Sequence, residues 1–309
     1  YVFDKDFGGE VGVCLPSAAF ANTTRMDIVE THFNNVTMEN EMKPESLLGK
    51  KPNIGEDGYP ILDFTVADEM LRNIKAYNDT CHKEEKKIRV RGHVLVWHSQ
   101  TPEWFFHEDY DESKKYVDSD TMLARMENYI KQVLNHYHGE DSEFEGMIYA
   151  WDVVNEAIND TDGKLRADSS WFRVFYDDEF IIQAFVFANK YAPQNVKLFY
   201  NDYNAYLPEK RDSICEVVKS INSYAKDEHK QHVHATQCGD NDYDIGDDPY
   251  CIHYGDTPTD GIAHESTAER IEQQGYYGSR KHQTYVIPEF GAHGASLGLR
   301  GCYCCIRNE

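Results

Sequence analysis

The stretch Met147-Ile148-Tyr149-Ala150-Trp151-Asp152-Val153-Val154-Asn155-Glu156-Ala157-Ile158 is a mostly apolar, β-compatible run that stops abruptly at Asn-Glu. Such a run suits a buried strand. A carboxylate just past it stands at the strand's C-terminal end, where parallel α/β folds place their chemistry. Glu156 equally fits a helix-start turn, and the stretch alone does not choose between the two. The segments on either side do.

Upstream, Val11-Gly12-Val13-Cys14 reads as a short strand, and Arg25 to Phe33 has helical spacing with Met26, Val29 and Phe33 on one face. Asn35-Val36-Thr37-Met38 is β-prone and ends in Glu39-Asn40-Glu41-Met42-Lys43. Phe64 to Tyr77 carries Val66, Met70, Leu71, Ile74 and Tyr77 at helical intervals. Ile88 to Trp97 reads as the next strand, and Pro102 closes the loop after it. Ser119 to His136 is a long amphipathic pattern with Ser119 as N-cap and Met122, Met126, Ile130 and Val133 as its stripe. Downstream, Glu179 to Tyr191 reads as a helix with Ile181, Ile182, Phe185 and Val186 on its buried side. Val196 to Tyr200 reads as a strand ending in Asn201-Asp202-Tyr203-Asn204, and Pro208 to Ala225 as a helix carrying Ile214, Val217, Val218 and Ile221. Alternating strands and helices imply a parallel sheet, either barrel or doubly wound. No Gly-x-Gly-x-x-Gly follows any strand, which counts against a dinucleotide-binding sheet. The strands end instead in polar and aromatic residues, as a (β/α)8 barrel requires to build one site from several strand ends.

The chain has 309 residues, 40% hydrophobic, with 21 Tyr, 15 Phe and 4 Trp, which suffices for one large barrel or two ordinary domains. The formal net charge of -23 repels nucleic acid and anionic membranes, so neither is expected as a partner, whereas a neutral polymer needs no charge steering. No apolar run approaches membrane-spanning length. Cys14, Cys81 and Cys215 are scattered and read as ordinary thiols or at most one disulfide. Cys238, Cys251, Cys302, Cys304 and Cys305 lie in the last quarter. The single CxxC spacing there has no matching second cluster, so no metal site and no cofactor are expected.

If the strand ends share one face, the cleft holds carboxylates, amides, imidazoles and indole or phenol rings. None of these ends carries a Gly-x-Ser-x-Gly elbow or a phosphate loop. The mix suits a sugar, whose hydroxyls need donors and acceptors and whose CH faces pack on rings. Glycosidic cleavage takes two carboxyl groups, one protonated behind the leaving oxygen and one ionised at the anomeric carbon. Burial and a second carboxylate raise the pKa of such an acid. Singly, His93 fits a core histidine, Glu39 and Lys43 a surface ion pair, Trp97 and Trp104 plain core, and Asp202 a turn. Together, at successive strand ends, they read as a site.

Four motifs in order sharpen this: Asn35 to Lys43, Arg91 to Gln100, Trp151 to Ala157, and Tyr200 to Asn204. They resemble glycoside hydrolase family 10, the endo-β-1,4-xylanases, over residues 8 to 225. The resemblance implies an α/β fold, a (β/α)8 TIM barrel, with retaining chemistry on two Glu residues. It implies Glu156 as acid/base and Asn155 beside it on the sugar 2-hydroxyl. Glu39, Asn40 and Lys43 become glycone-side contacts, and His93, Trp97 and Gln100 contacts around the sugar being cleaved. Tyr203 becomes a leaving-group-side contact. The partner implied is xylan or its oligosaccharides, met by a secreted, extracellular monomer. The chain starts at Tyr1, without a basic-then-apolar leader, as a mature or trimmed protein would.

Past Ala225 the resemblance thins. Asp260-Gly261-Ile262-Ala263-His264-Glu265-Ser266-Thr267 echoes the family's sixth strand, with Glu265 where the family has Gln and Thr267 where it has His. The family's Thr-Glu-Leu-Asp, which carries the nucleophile, is absent. Tyr285-Val286-Ile287-Pro288-Glu289 is the later β-like run ending in Glu, so Glu289 is the nucleophile candidate and Glu265 the weaker one; a plain loop Glu is the other reading of Glu289. Pro288 is awkward in a central strand. Only 20 residues follow Glu289, and no Trp follows Trp171. The expectation is one catalytic barrel over 1–309, with 1–225 well matched and 226–309 divergent. Its last units are irregular or incomplete, with raw edges where an eighth strand would close it. The tail from about Gly291 reads as frameshifted, mis-sequenced or truncated. Against the enzyme stand two rivals: a xylan-binding or inhibitor-like barrel without the chemistry, and a defective fragment that does not fold.

Overall fold

The computed structural model describes residues 11–82 and 86–226, together with the short strands 234–235 and 285–287. Strand and helix alternate as the periodicities predict. β1 (Val11–Leu15) leads to α1 (Ser17–Phe20) and α2 (Thr23–His32), and β2 (Asn35–Met38) to α3 (Pro44–Leu48) and α4 (Thr65–Thr80). β3 (Arg89–Trp97) leads through 3-10 turns at Glu103–Phe106 and Glu108–Tyr110 to α5 (Ser119–His138). β4 (Ile148–Asn155) is followed by α6 (Ser170–Phe175) and α7 (Glu179–Tyr191), and β5 (Lys197–Asn201) by α8 (Pro208–Lys226). Two short strands complete the sheet, β6 (His234–Ala235) and β7 (Tyr285–Ile287).

The sheet runs β6-β5-β4-β3-β2-β1-β7, and every pairing is parallel. From β1 to β6 sequential strands are therefore neighbours, and every strand through β5 points its C-terminal end the same way. β7 lies against β1, with Val11 opposite Tyr285 and Val13 opposite Ile287. This corrects the expectation of a raw edge at β1. The segment read as a seventh strand takes the flank of β1 that a closing strand covers in a barrel.

Strands covered on both faces need continuous apolar runs. β2 is buried at all four positions and β4 everywhere except half-buried Tyr149. The helices each offer one stripe. In α5, Met122, Met126, Ile130 and Val133 are all buried, as expected. Its cap differs: Asp118, one residue earlier than predicted, accepts a 2.8 Å bond from the Thr121 amide. In α4 the buried apolar residues are Ala67, Met70, Leu71 and Ile74, while Val66 is 49% exposed. Ala67 keeps the i, i+3, i+4, i+7 rhythm and Val66 is one step off it. In α7, Ile181 and Phe185 are buried, but Ala184 and Ala188 take the inner positions that Ile182 and Val186 were expected to share.

One glycine is fixed by packing. A Cβ on Gly92 of β3 would fall 2.3 to 2.6 Å from Trp151 indole atoms, so the Trp151 ring occupies the space a side chain would need. Trp151 is fully buried, and its Nε1 donates to His138 Nε2 at 2.9 Å. Cys14 and Cys215 are buried and Cys81 is half-buried. Among the described residues no helix is long and apolar enough to cross a membrane.

Candidate active site

The polar residues that end β2 to β5 meet at one end of the sheet because all these strands run parallel. At the end of β2, Lys43 is buried and donates to Asn40 Oδ1 at 3.2 Å and to Gln100 Oε1 at 2.8 Å. Gln100 Nε2 closes the triangle on Asn40 Oδ1 at 3.1 Å. The same ammonium lies 4.8 Å from the centre of the Trp97 ring. Glu39 is half-buried beside them, its amide bonded to Leu15 O at 3.0 Å. Neighbouring Glu41 spends both carboxylate oxygens on backbone amides, Ser17 at 2.7 Å and Asn40 at 3.0 Å, which ties the β2 end to the β1 end.

Trp97 links this group to Glu156. Its Nε1 donates to Glu156 Oε2 at 3.1 Å, while the carbonyl of Trp97 accepts from Trp171 Nε1 at 3.1 Å. The indole and the backbone of Trp97 are thus each tied by a bond. Glu156 is half-buried and has a left-handed backbone, φ 54°. Asn155, just before it, accepts from Asn201 Nδ2 at 2.6 Å, which sets the side-chain amide of Asn155 with its NH₂ free of that bond. Tyr203 shares its hydroxyl with Asp160 and with Arg166 Nη2, the latter at 3.2 Å. Arg166 in turn donates Nε to the Glu156 carbonyl at 2.7 Å. Lys43, Asn40, Gln100, Trp97, Glu156 and Tyr203 are therefore one connected group.

His93 sits apart from that chain of bonds, with its ring 6.1 Å from the Trp97 ring. Its Nδ1 lies 2.8 Å from Asp152 Oδ2, and Arg91 Nε lies 3.0 Å from Asp152 Oδ1. Burial pushes the Asp152 carboxyl up, but the Arg91 guanidinium and the His93 bond outweigh it and hold the carboxyl below its usual value. An ionised Asp152 fixes which way the His93 ring faces.

Glu289 and Glu265 lie outside the described residues. Sequence reading passed over Arg166, Asp160 and Lys210. Lys210 is 1% exposed and contacts Asp160 and, at 2.8 Å, Asp202. Arg91 and Asp152 did carry a signal, because opposite charges inside two apolar strands must pair to be buried. Asp160, Arg166 and Lys210 carry none, as each lies in an ordinary polar segment. Among the described residues no group of three or more His, Cys, Asp or Glu is placed to hold a metal ion.

Parallel strands that deliver carboxyl, amide, imidazole and indole groups to one end put the chain in the class of parallel α/β proteins that gather a polar site at the strand ends. Comparison narrows the class. The family model of glycosyl hydrolase family 10 matches residues 2–227, and the chain belongs to that family, with its (β/α)8 barrel fold. It is 42% identical over 214 residues to endo-1,4-beta-xylanase A of Thermotoga maritima, covering 69% of this chain and 18% of that protein. It is 43% identical over 213 residues to endo-1,4-beta-xylanase B of Butyrivibrio fibrisolvens, covering 68% of this chain and 31% of that protein. Among solved structures, the CBM22-1 and family 10 modules of a Clostridium thermocellum xylanase, complexed with xylohexaose, match with a TM-score of 0.63 and 33% identity. That match covers 74% of this chain and 44% of the other. An intracellular xylanase from Thermoanaerobacterium saccharolyticum, complexed with xylotetraose, matches with a TM-score of 0.60 and 31% identity over 75% of this chain and 64% of that one. The chain thus spans under a third of the curated xylanases named here.

Proposed function

We propose that the protein is an endo-1,4-β-xylanase that cleaves with retention, with Glu156 as acid/base and Glu289 as nucleophile. The observation that carries this reading is the Trp97 Nε1 bond to Glu156 Oε2 at the end of β4, beside the Lys43–Asn40–Gln100 triangle. It holds a half-buried carboxyl at the strand end that faces the other motifs. Family membership and similarity to named xylanases support the substrate class.

In this reading the xylan chain lies across the strand ends. Glu39, Asn40 and Lys43 bind the glycone side, while His93, Trp97 and Gln100 surround the sugar being cleaved. Asn155 binds its 2-hydroxyl, where hydrogen bonds strengthen as the oxocarbenium-like transition state forms. Glu156 gives its proton to the glycosidic oxygen as the bond to the anomeric carbon breaks. A Glu289 carboxylate about 5 Å away attacks that carbon and forms the glycosyl-enzyme. Glu156, now ionised, takes a proton from water, and the water releases the sugar with its configuration retained. Tyr203 contacts the leaving-group side.

The test is reducing-sugar release from xylan by the wild type, Glu156→Gln and Glu289→Gln, with the anomer of the first product read by NMR. Release lost in both variants and a retained anomer are the expected results. An active Glu289→Gln sinks that assignment and passes the question to Glu265→Gln. Xylan binding without release by the wild type leaves the binding barrel instead. We further propose a monomer, checked by size-exclusion chromatography with light scattering. Secretion is a separate proposal, checked by fractionating the source culture; the similar Thermoanaerobacterium saccharolyticum xylanase is an intracellular one.

A further inference from the structure

Glu156 has φ 54°, a backbone region that a residue with a side chain keeps only when its surroundings hold it there. Three bonds do so. The Glu156 amide donates to Asn201 O at 2.8 Å, the Glu156 carbonyl accepts from Arg166 Nε at 2.7 Å, and the Ala157 amide donates to the Tyr200 hydroxyl at 3.1 Å. Both sides of the Glu156–Ala157 peptide are therefore gripped, and two of the three grips lead to one cation. The Tyr200 hydroxyl donates to Asp202 Oδ2 at 2.8 Å, and Asp202 Oδ1 meets Lys210 Nζ at 2.8 Å. On the other side Arg166 Nη2 donates to Asp160 Oδ2 at 3.3 Å, and Asp160 Oδ1 accepts from Lys210 Nζ.

The elements involved are otherwise separate: Asp160 lies between β4 and α6, Asp202 just after β5, and Lys210 in the first turn of α8. The side chains of Lys210 and Asp202 are each 1% exposed, so water does not take over the role of either. We propose that Lys210 is a positioning residue for the acid/base. By drawing Asp160 and Asp202 onto one ammonium it fixes the Glu156–Ala157 peptide, and with it the direction of the Glu156 carboxyl. This rests on the reading of Glu156 as acid/base. Lys210 is buried and acts through Arg166 and Tyr200. Its ammonium also lies 4.0 Å from the centre of the Tyr203 ring, whose hydroxyl Asp160 holds, so Tyr200→Phe, which leaves Tyr203 in place, separates the two routes.

A buried cation that merely neutralises two acids gives a different signature. Misdirecting a general acid hurts a poor leaving group, such as a sugar hydroxyl, and spares one that needs no proton. The experiment uses the full 309-residue chain and compares kcat/KM on xylan with kcat/KM on 2,4-dinitrophenyl β-xylobioside. Lys210→Met is expected to lose about tenfold to hundredfold on xylan and less than about threefold on the dinitrophenyl substrate. Tyr200→Phe leaves Lys210 and its acids in place and removes the hydroxyl that joins Asp202 to the Ala157 amide. It is expected to show the same selectivity at smaller size, and it decides the matter if Lys210→Met does not fold. Equal losses on both substrates, or no loss on either, overturn the proposal.

Glu156→Gln separates this from failure of the parent reading. If that variant keeps its xylan activity, Glu156 is not the acid/base, and the positioning claim is then read from the Trp97 indole N–H signal in NMR. That signal follows the carboxyl it is bonded to, and is assigned by its change in Glu156→Gln. An altered signal in Tyr200→Phe supports the positioning; one identical to wild type in shift and pH response overturns it.

Discussion

Lys43 shows at the scale of one residue how one ammonium sets two neighbouring amides in place. Its ammonium is buried yet bonded to Asn40 and Gln100, so the two amides present fixed faces. Lys43→Met removes the shared donor and leaves both amide oxygens short of it. A lost hydrogen bond to a charged group costs about 1.5–3 kcal/mol. On the proposed reading Lys43 contacts the glycone side equally in ground and transition states, so the expected result is a KM on xylo-oligosaccharides raised about tenfold or more, with kcat changed less than about threefold. Steady-state kinetics on a xylo-oligosaccharide series check it, and a kcat that falls as far as KM rises would move Lys43 to the reacting sugar. The residues of this triangle were legible because they sit in contiguous motifs, Glu39 to Lys43 and Arg91 to Gln100. Lys210 was not, because its partners Asp160 and Asp202 precede it in two different loops and only packing brings them to it.

Between β3 and β4 the decisive contact is the Arg91–Asp152 pair, with side chains 5% and 3% exposed. Removing one partner leaves the other buried and uncompensated. Asp152→Asn is therefore expected to lower the unfolding free energy by about 3–5 kcal/mol, measured by urea titration. A loss under about 1 kcal/mol would mean the strands relax and water reaches Arg91. The same strand pair carries a steric constraint. Gly92→Ala puts a methyl group 2.3 Å from the Trp151 indole, which is fully buried and bonded to His138. Overpacking of this kind costs about 1–3 kcal/mol, and the same titration reads it. Gly92→Ala combined with Trp151→Phe should recover part of the loss. The existence of both strands followed from their apolar runs. The fit of Gly92 to Trp151 did not, since a strand's periodicity says which face a residue takes and nothing of what stands opposite.

Across the whole molecule, acid stability turns on buried groups of opposite tendency. Burial lowers His98 and His138 from 6.5 to about 4, His98 with help from the Arg166 charge. Between pH 6.5 and about 4 the unfolded chain binds the extra protons, so these two groups make stability fall as pH falls. Asp202 opposes them. Burial raises it to about 6 against the pull of Lys210, so from about pH 6 down to its ordinary 3.8 the folded chain binds the proton and gains stability. Two groups outweigh one, and the thermal midpoint is expected to drop between pH 6.5 and 4. Below the ordinary carboxylate range the acids held low in the fold, among them Asp152, Asp160 and Glu103, steepen the fall. His138→Gln removes one proton site and should flatten the slope between pH 6.5 and 4; an unchanged slope in calorimetry would clear His138 of the effect.

The sequence by itself determined the alternating elements, the parallel sheet, the family and the cluster of motifs at the strand ends. These are local properties: a stripe at helical spacing or an apolar run ending in Asn-Glu is written in neighbouring residues. Only the tertiary structure decided that Ala67 rather than Val66 faces the core and that Tyr285–Ile287 lies against β1. It alone decided that Glu156 is held in a left-handed backbone by Asn201, Arg166 and Tyr200. Those outcomes follow from which charges and rings must share a water-free interior, and that is settled between distant segments only when they pack.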